Sequence, residues 1–490
     1  MIQFHKTALQ HLPEAQAGLK GHRNRSGRRE EAPSNLRFTI YDLRFAARAF
    51  LCRLLHVLES ALLSLVILLT AGPGARAGEG GYVRLLPNDG NNVYPASDLL
   101  RQWPTNGPKK LWRATIGDGK SAVIVSGNRA FTAAQAEGKQ WALCLDSASG
   151  KTLWKSVICD NENHHQVAGP VSSPVVDGDR VYFIPYKNHD GDIYDIRCPV
   201  FCLRAGDGST LWSEGEKFVS TEGSTPLIVG DKLYISSSSS NSILVAVDKM
   251  TGKLLWKTPE PEDAGSTRAV YGAGASLTCQ VVGGIHQIIV SVFRNDNLGV
   301  NAETGEILWH WKLPTPVSSG MVSTPVAIGS RVFFSGFQGA SSEGVWVDMK
   351  VKDGKPDPVT RFESTKLQCN AFHTVSILNG AVYGFGTGTN LEALQCTDSE
   401  TGELLWEQAG PDWSRRGNLT VADGLIFAVT KKDELVMAEA NKTAYKELGR
   451  VNPGIKMGIP QQPTIFNGRL YLRGNDTMVC YEVGPPATAK

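Results

Sequence analysis

Three features of the sequence predict an all-β fold, a closed ring of eight blades with four antiparallel strands each. A turn of the form D-x-x-T-G-x-x-x-W recurs along the chain. A short apolar strand, a glycine turn and an apolar-aromatic strand recur eight times. The last copy lacks its outer strand, and a spare one stands near the N-terminal end.

The turn appears as "DSASGKTLWK" (Asp146–Lys155), "DKMTGKLLWK" (Asp248–Lys257), "AETGEILW" (Ala302–Trp309) and "DSETGELLWE" (Asp398–Glu407). Trp154, Trp212, Trp256, Trp309 and Trp406 each follow a glycine four places earlier: Gly150, Gly208, Gly252, Gly305 and Gly402. Glycine suits a turn position that needs positive φ. The tryptophan then opens the next strand. Degenerate copies are "VDMKVKDGKPDPV", around Gly354, and "AEANKTAYKEL", in which Tyr445 takes the tryptophan's place.

The hairpin copies turn at Gly127, Gly178, Gly230, Gly284, Gly329, Gly380, Gly424 and Gly468, at spacings of 44 to 54 residues. Strand and turn chemistry mark each as a hairpin. Each unit thus reads as strands A and B around the glycine turn, strand C, the T-G turn, and strand D opening on tryptophan. One such sheet cannot cover both of its faces. A radial arrangement covers them and leaves only short edges. A solenoid would need capping ends, and the sequence shows none. The repeated tryptophans are expected to dock each blade on the next.

The ring is expected to close through its ends. "DTMVCYEV" (Asp476–Val483) supplies a C strand with no T-G-x-x-x-W after it. "WPTNGPKKLWRA" (Trp103–Ala114) supplies the missing strand and a sixth docking residue, Trp112.

The 490 residues include 51 Gly and 25 Pro, which suits a turn-rich chain. A charged fraction of 20% and a net charge of +2 argue against a nucleic-acid binder. Residues 1–53 are basic and read as a disordered extension, or as sequence ahead of the true start. Residues 54–77 carry the apolar run "ALLSLVILLTA" and then "GPGARAG", a signal peptide or N-terminal anchor. Cleavage is expected after Ala77. Residues 78–98 lead into a propeller over 99–485, and 486–490 form a tail.

None of the nine cysteines is adjacent to another and no C-x-x-C occurs, so no zinc ribbon, redox pair or haem site is signalled. Cys144, Cys202 and Cys396 each precede a repeat tryptophan by ten residues, which marks them as core positions. "NHDGDIYD" (Asn188–Asp195) departs from a calcium loop in its glycine and lacks the closing Glu. It reads as a long B–C tip, and "SSSSSNS" (Ser236–Ser242) as a polar hairpin. No metal site is expected.

The D-x-x-T-G-x-x-x-W units and S-[ST]-P-x-x-x-x-G hairpins resemble the pyrroloquinoline-quinone (PQQ) repeat propellers. That superfamily has eight blades. It holds quinoprotein alcohol dehydrogenases and a non-catalytic outer-membrane assembly lipoprotein. The "WPTNGPKKLW" opening is similar to exported propellers of planctomycete-type bacteria. In a catalytic member the resemblance implies an axial site for a flat anionic quinone and a hard cation held by carboxylate and amide oxygens. It also implies a carboxylate base and a vicinal disulfide. This chain has no Cys-Cys pair.

Site residues in propellers usually come from the segments entering each innermost strand. Here these offer His165, Glu222, Arg268, Tyr271, Asn370, His373, Arg416 and Lys456, with Asn418, Gln461 and Asp412 beside them. Their bases suit an anion. The expected function is an exported, non-catalytic PQQ-like propeller. It would act as a ligand-binding or protein-interaction scaffold in the periplasm or cell envelope. The alternative is a PQQ-dependent oxidoreductase, a quinoprotein alcohol or sugar dehydrogenase, using PQQ with Ca²⁺. No cofactor is expected under the first reading. The expected partner is an envelope protein or a small anionic ligand, and not nucleic acid. The membrane enters only through an N-terminal segment left uncleaved, and a monomer is expected.

Overall fold

The structure is a computed structural model. It describes residues 84–485 apart from 161–168, 187, 190–191, 197–198, 215–223, 240–241, 262–274, 292–295, 313–322, 336–343, 365–373, 388–391, 414–416 and 459–460. All described residues belong to the compact unit Ala77–Lys490. Expectations for residues 1–83 and 486–490 lie outside the described residues, as do those for His165, Glu222, Arg268, Tyr271, Asn370, His373 and Arg416.

The described chain is all β, in eight antiparallel blades of four strands. The innermost strands are Ile124–Ser126, Val175–Asp177, Leu227–Val229, Thr278–Val282, Val326–Ile328, Ser376–Leu378, Leu419–Ala422 and Thr464–Phe466. We number blades 1 to 8 in that order. The A–B hairpins turn as their sequences predict. In the last three, Asn379, Asp423 and Asn467 also take positive φ ahead of the glycine, the pattern of a type I′ turn.

Blade 8 is completed from the N-terminal side. Lys109–Thr115 lies antiparallel to Thr477–Glu482, with Trp112 opposite Cys480. The predicted ring closure is therefore present. "SSSSSNS" is a B–C hairpin, split between Lys232–Ser239 and Ser242–Asp248. The tip around Asn188–Asp195 forms its own small antiparallel pair.

The repeat register explains the tryptophans. Trp154, Trp212, Trp406 and Trp112 each stand directly opposite a cysteine on strand C: Cys144, Cys202, Cys396 and Cys480. These cysteines are free and buried. The indoles of Trp112, Trp154, Trp212 and Trp256 lie on the turn glycine of the next blade, Gly150, Gly208, Gly252 and Gly305. A methyl group at Gly208 would stand 2.5 Å from the Trp154 ring, and one at Gly305 would stand 2.6 Å from Trp256. The same glycines have φ of +74° and +76°. Glycine is thus required twice, by backbone conformation and by the approach of the ring. The indole N–H of Trp154 donates to Ala205 O at 3.0 Å, and that of Trp406 to Asn441 O at 2.8 Å. A strand-B tyrosine often shares the acceptor. Trp112 and Tyr471 both donate to Ser147 O, and Trp212 and Tyr182 both donate to Lys249 O.

Two blades differ. In blade 5 the strands Gly344–Lys352 and Lys355–Ser364 make a longer hairpin, and Phe362 takes the tryptophan's place against Gly402. In blade 7 the sequence pointed to Tyr445, but the register places Gly449 opposite Met437, where other blades carry tryptophan. Trp103, from the N-terminal segment, packs on that glycine. Tyr445 faces Trp406 and Trp413 instead. The substitution was hidden because the blade-7 turn has no glycine and its aromatic comes from a distant segment.

Candidate functional site

The S-[ST]-P motifs at the inner-strand entrances have a local physical role. Their hydroxyls, with other Ser and Thr hydroxyls at the same entrances, tie neighbouring inner strands together around the axis. Ser172 Oγ donates to Ser224 O at 2.8 Å, and Thr278 Oγ1 donates to Pro325 O at 2.7 Å. Thr374 Oγ1 donates to Thr324 O, Thr420 Oγ1 to Pro463 O and Thr464 Oγ1 to Val123 O, each at 2.8 Å. Backbone N–H groups of Ala122, Thr225 and Ser276 donate to Ser173, Ser276 and Thr324 hydroxyls. These bonds cover seven of the junctions between inner strands. Between blades 6 and 7 the acceptor is Asn92 O, which takes Ser376 Oγ at 2.6 Å and Val421 N at 3.2 Å.

Asn92 belongs to the leader, and the leader runs through the ring. Arg84 Nη1 donates to Leu277 O of blade 4. The carbonyl of Asn88 accepts from Cys279 N, and its amide donates to Ile228 O of blade 3. The Asp89 carbonyl accepts from Ala327 N of blade 5. The Asn91 side chain both donates to Ile377 O, at 2.9 Å, and accepts from Ile377 N, at 2.8 Å. It pairs with blade 6 as another strand would. Asn92 Nδ2 donates to Leu419 O of blade 7. Val93–Tyr94 then adds a fifth, parallel strand to blade 7. Gln462 of blade 8 donates to Leu85 O and Tyr94 Oη, and the Leu85 side chain packs against the core between blades 1 and 2.

Inner strands present unpaired backbone groups to the axis, and buried groups of that kind need partners. Asparagine amides supply donor and acceptor together, which accounts for three of them in "PNDGNN". Gly90 has φ of +77°, and a Cβ there would collide with the Pro325 carbonyl. The leader leaves the ring at the A–B turn of blade 7, where Leu99 N donates to Asp423 Oδ2 at 2.9 Å. No hydrophobic periodicity announces this path, so sequence reasoning recognised only a leader.

The opposite, D-to-A face carries bases between blades 7, 8 and 1. Lys456, a predicted site residue, is 89% exposed there and stands 3.7 Å from Asp433. Lys120 and Arg473 were not foreseen. Lys120 Nζ donates to Met457 O at 3.0 Å and to Asn475 Oδ1. Burial, with Arg473 nearby, lowers its amine to about 8. Arg473 is fully buried, and its guanidinium donates to Gly119 O, Thr132 Oγ1, Ala133 O and Gly117 O. Desolvation pulls it down to about 9. Asn418 and Gln461 are buried at inner-strand entrances. Asp412 is engaged elsewhere, 2.8 Å from Lys432 and 3.4 Å from Arg450.

A quinone with calcium would need oxygen donors gathered on the axis. Among the described residues no three His, Cys, Asp or Glu side chains come together around a cation position. The axial donors described are amides, hydroxyls, one guanidinium, the Asp89 carboxylate and backbone groups.

The ring of four-stranded blades, the D-strand tryptophans and their turn glycines define a PQQ-repeat β-propeller. The family model described as outer membrane protein assembly factor BamB matches residues 104–295 and 200–383, and the chain belongs to that family. Tetrathionate hydrolase of Acidithiobacillus ferrooxidans is 26% identical over 255 residues, 50% of this chain and 48% of that protein. The chain thus spans about half the length of that curated relative. BamB from Moraxella catarrhalis superposes with a TM-score of 0.54 at 14% identity, over 76% of this chain and 97% of BamB. Quinohemoprotein alcohol dehydrogenase ADHIIG from Pseudomonas putida HK5 gives 0.56 at 13% identity, over 84% and 81%. At such identities the two structures share the fold alone.

Proposed function

We propose that this chain is an exported, non-catalytic PQQ-like propeller that serves as a ligand-binding or protein-interaction scaffold in the cell envelope. The observation that carries the reading is the threaded axis. The leader's own amides and carbonyls engage the inner strands where a ligand would otherwise bind, so recognition is left to the D-to-A face and the outer rim. The basic groups Lys456 and Lys120 suit that face to an anionic partner. The family description, an outer membrane assembly factor, supports export.

Reconstitution with PQQ and Ca²⁺, followed by a dye-linked assay over alcohols and sugars, tests the reading. No reduction above the PQQ-free control is expected. PQQ-dependent turnover would overturn it. The tetrathionate hydrolase likeness favours a second reading, a propeller acting on a sulfur oxyanion. Consumption of tetrathionate by the same preparation would select that one.

A further inference from the structure

Two arginines lie fully inside the ring, and they are treated differently. Every guanidinium nitrogen of Arg473 meets an oxygen of the chain. Arg84 is 2% exposed, yet among the described residues only its Nη1 has a partner, Leu277 O at 2.9 Å. Its Nε and Nη2 are buried with no acceptor among the described residues. These two nitrogens form one edge of the guanidinium, where the N–H bonds run parallel. That edge is the fork which takes two oxygens of one oxyanion.

Among the described residues no carboxylate forms an ion pair with this edge. Asp89 lies near enough to act on Arg84 electrostatically, but no ion pair within 4.0 Å joins them among the described residues. The Asp89 carboxylate instead accepts from Asn91 N at 2.9 Å. Arg84 keeps its proton at neutral pH, because burial lowers it only to about 10. A buried cation with two unmet N–H groups is strongly destabilising unless something completes it.

We propose that Arg84 holds a small oxyanion inside the ring, bound side-on through Nε–H and Nη2–H. The ligand class is a carboxylate or a tetrahedral inorganic oxyanion. Leu277 immediately precedes the inner strand of blade 4, so the site stands at the D-to-A end of that strand. The proposal goes beyond the scaffold reading and does not depend on it, since a catalytic propeller would need the same charge completed.

Calorimetry and thermal unfolding with sodium sulfate or sodium formate, balanced with sodium chloride to constant ionic strength, test it. Wild-type protein should show saturable binding and a rising midpoint. The preferred anion separates the tetrahedral from the carboxylate class. Arg84→Lys removes the fork but keeps the charge, and should weaken binding by roughly tenfold or more. Arg84→Gln should abolish the saturable response. Equal responses in wild type and Arg84→Gln would overturn the site. If Arg84→Gln does not fold, selenate-soaked wild-type crystals decide. Anomalous density against Nε and Nη2 is expected, and water alone at that edge would refute the assignment.

Discussion

The Trp154 indole lies flat on Gly208 of the following blade, and its N–H reaches Ala205 O across the same junction. One residue pair thus combines apolar burial, a hydrogen bond and a backbone that only glycine adopts easily. Trp154→Ala should cost about 3–5 kcal/mol in urea unfolding, through lost transfer energy and a cavity. Trp256 is only partly buried and its indole N–H has no acceptor among the described residues, so Trp256→Ala should cost less. Equal effects from both variants would argue against docking as the source of the stability.

Ring closure predicts a sharp response to truncation. Lys109–Thr115 covers the outer edge of Thr477–Glu482. Removing residues 78–115 exposes that edge, and exposed edges pair with other chains. Size-exclusion chromatography should show aggregation, and the thermal midpoint should fall far below the parent's. A monomer with an unchanged midpoint would contradict a ring closed this way.

The N-terminus of the mature protein should lie upstream of Arg84, near Gly78. Arg84 to Tyr94 is bound by inner strands, so processing within it would strip the axis. Mass spectrometry of protein from the native envelope checks this. A mature chain that begins after Tyr94, or that retains residues 1–50, would contradict the expectation.

Lys120 should impose an alkaline signature. Its folded value is about 8, below the ordinary 10.5, because burial disfavours the charged amine. Between those values the unfolded chain binds more protons than the folded one, so this group's contribution to stability rises with pH across about 8 to 10.5. The cysteines and tyrosines whose values burial raises act in the opposite sense above pH 9, so the comparison must be with Lys120→Met. Relative to that variant, wild-type protein should gain stability across the window. Parallel pH profiles would remove the claim that the amine is desolvated.

The ring, its eight hairpins and its closing strand were legible because each is written in local periodicity and turn chemistry. The pairing of Gly449 with Trp103 was not, because the blade-7 repeat copy offers Tyr445 as its aromatic and the residue that takes the place comes from a distant segment. The leader was least legible. "LLPNDGNNVY" has no apolar period, and its partners are backbone edges that exist only after the ring has formed. Lys120 and Arg473 carry no spacing signal either, and only the folded chain brings them to one junction. Of the eight side chains proposed as a site, Lys456 alone falls among the described residues.

Backbone amide exchange tests the threaded axis most directly. Cys279 N, Ala327 N and Val421 N donate to the leader carbonyls of Asn88, Asp89 and Asn92. In the intact protein these three amides should exchange as slowly as those paired inside the blades. In a chain lacking residues 84–94 they should lose protection by orders of magnitude, while amides of the B–C ladders stay protected. Fast exchange at all three in the intact protein, or protection unchanged by the deletion, would contradict a leader that fills the ring.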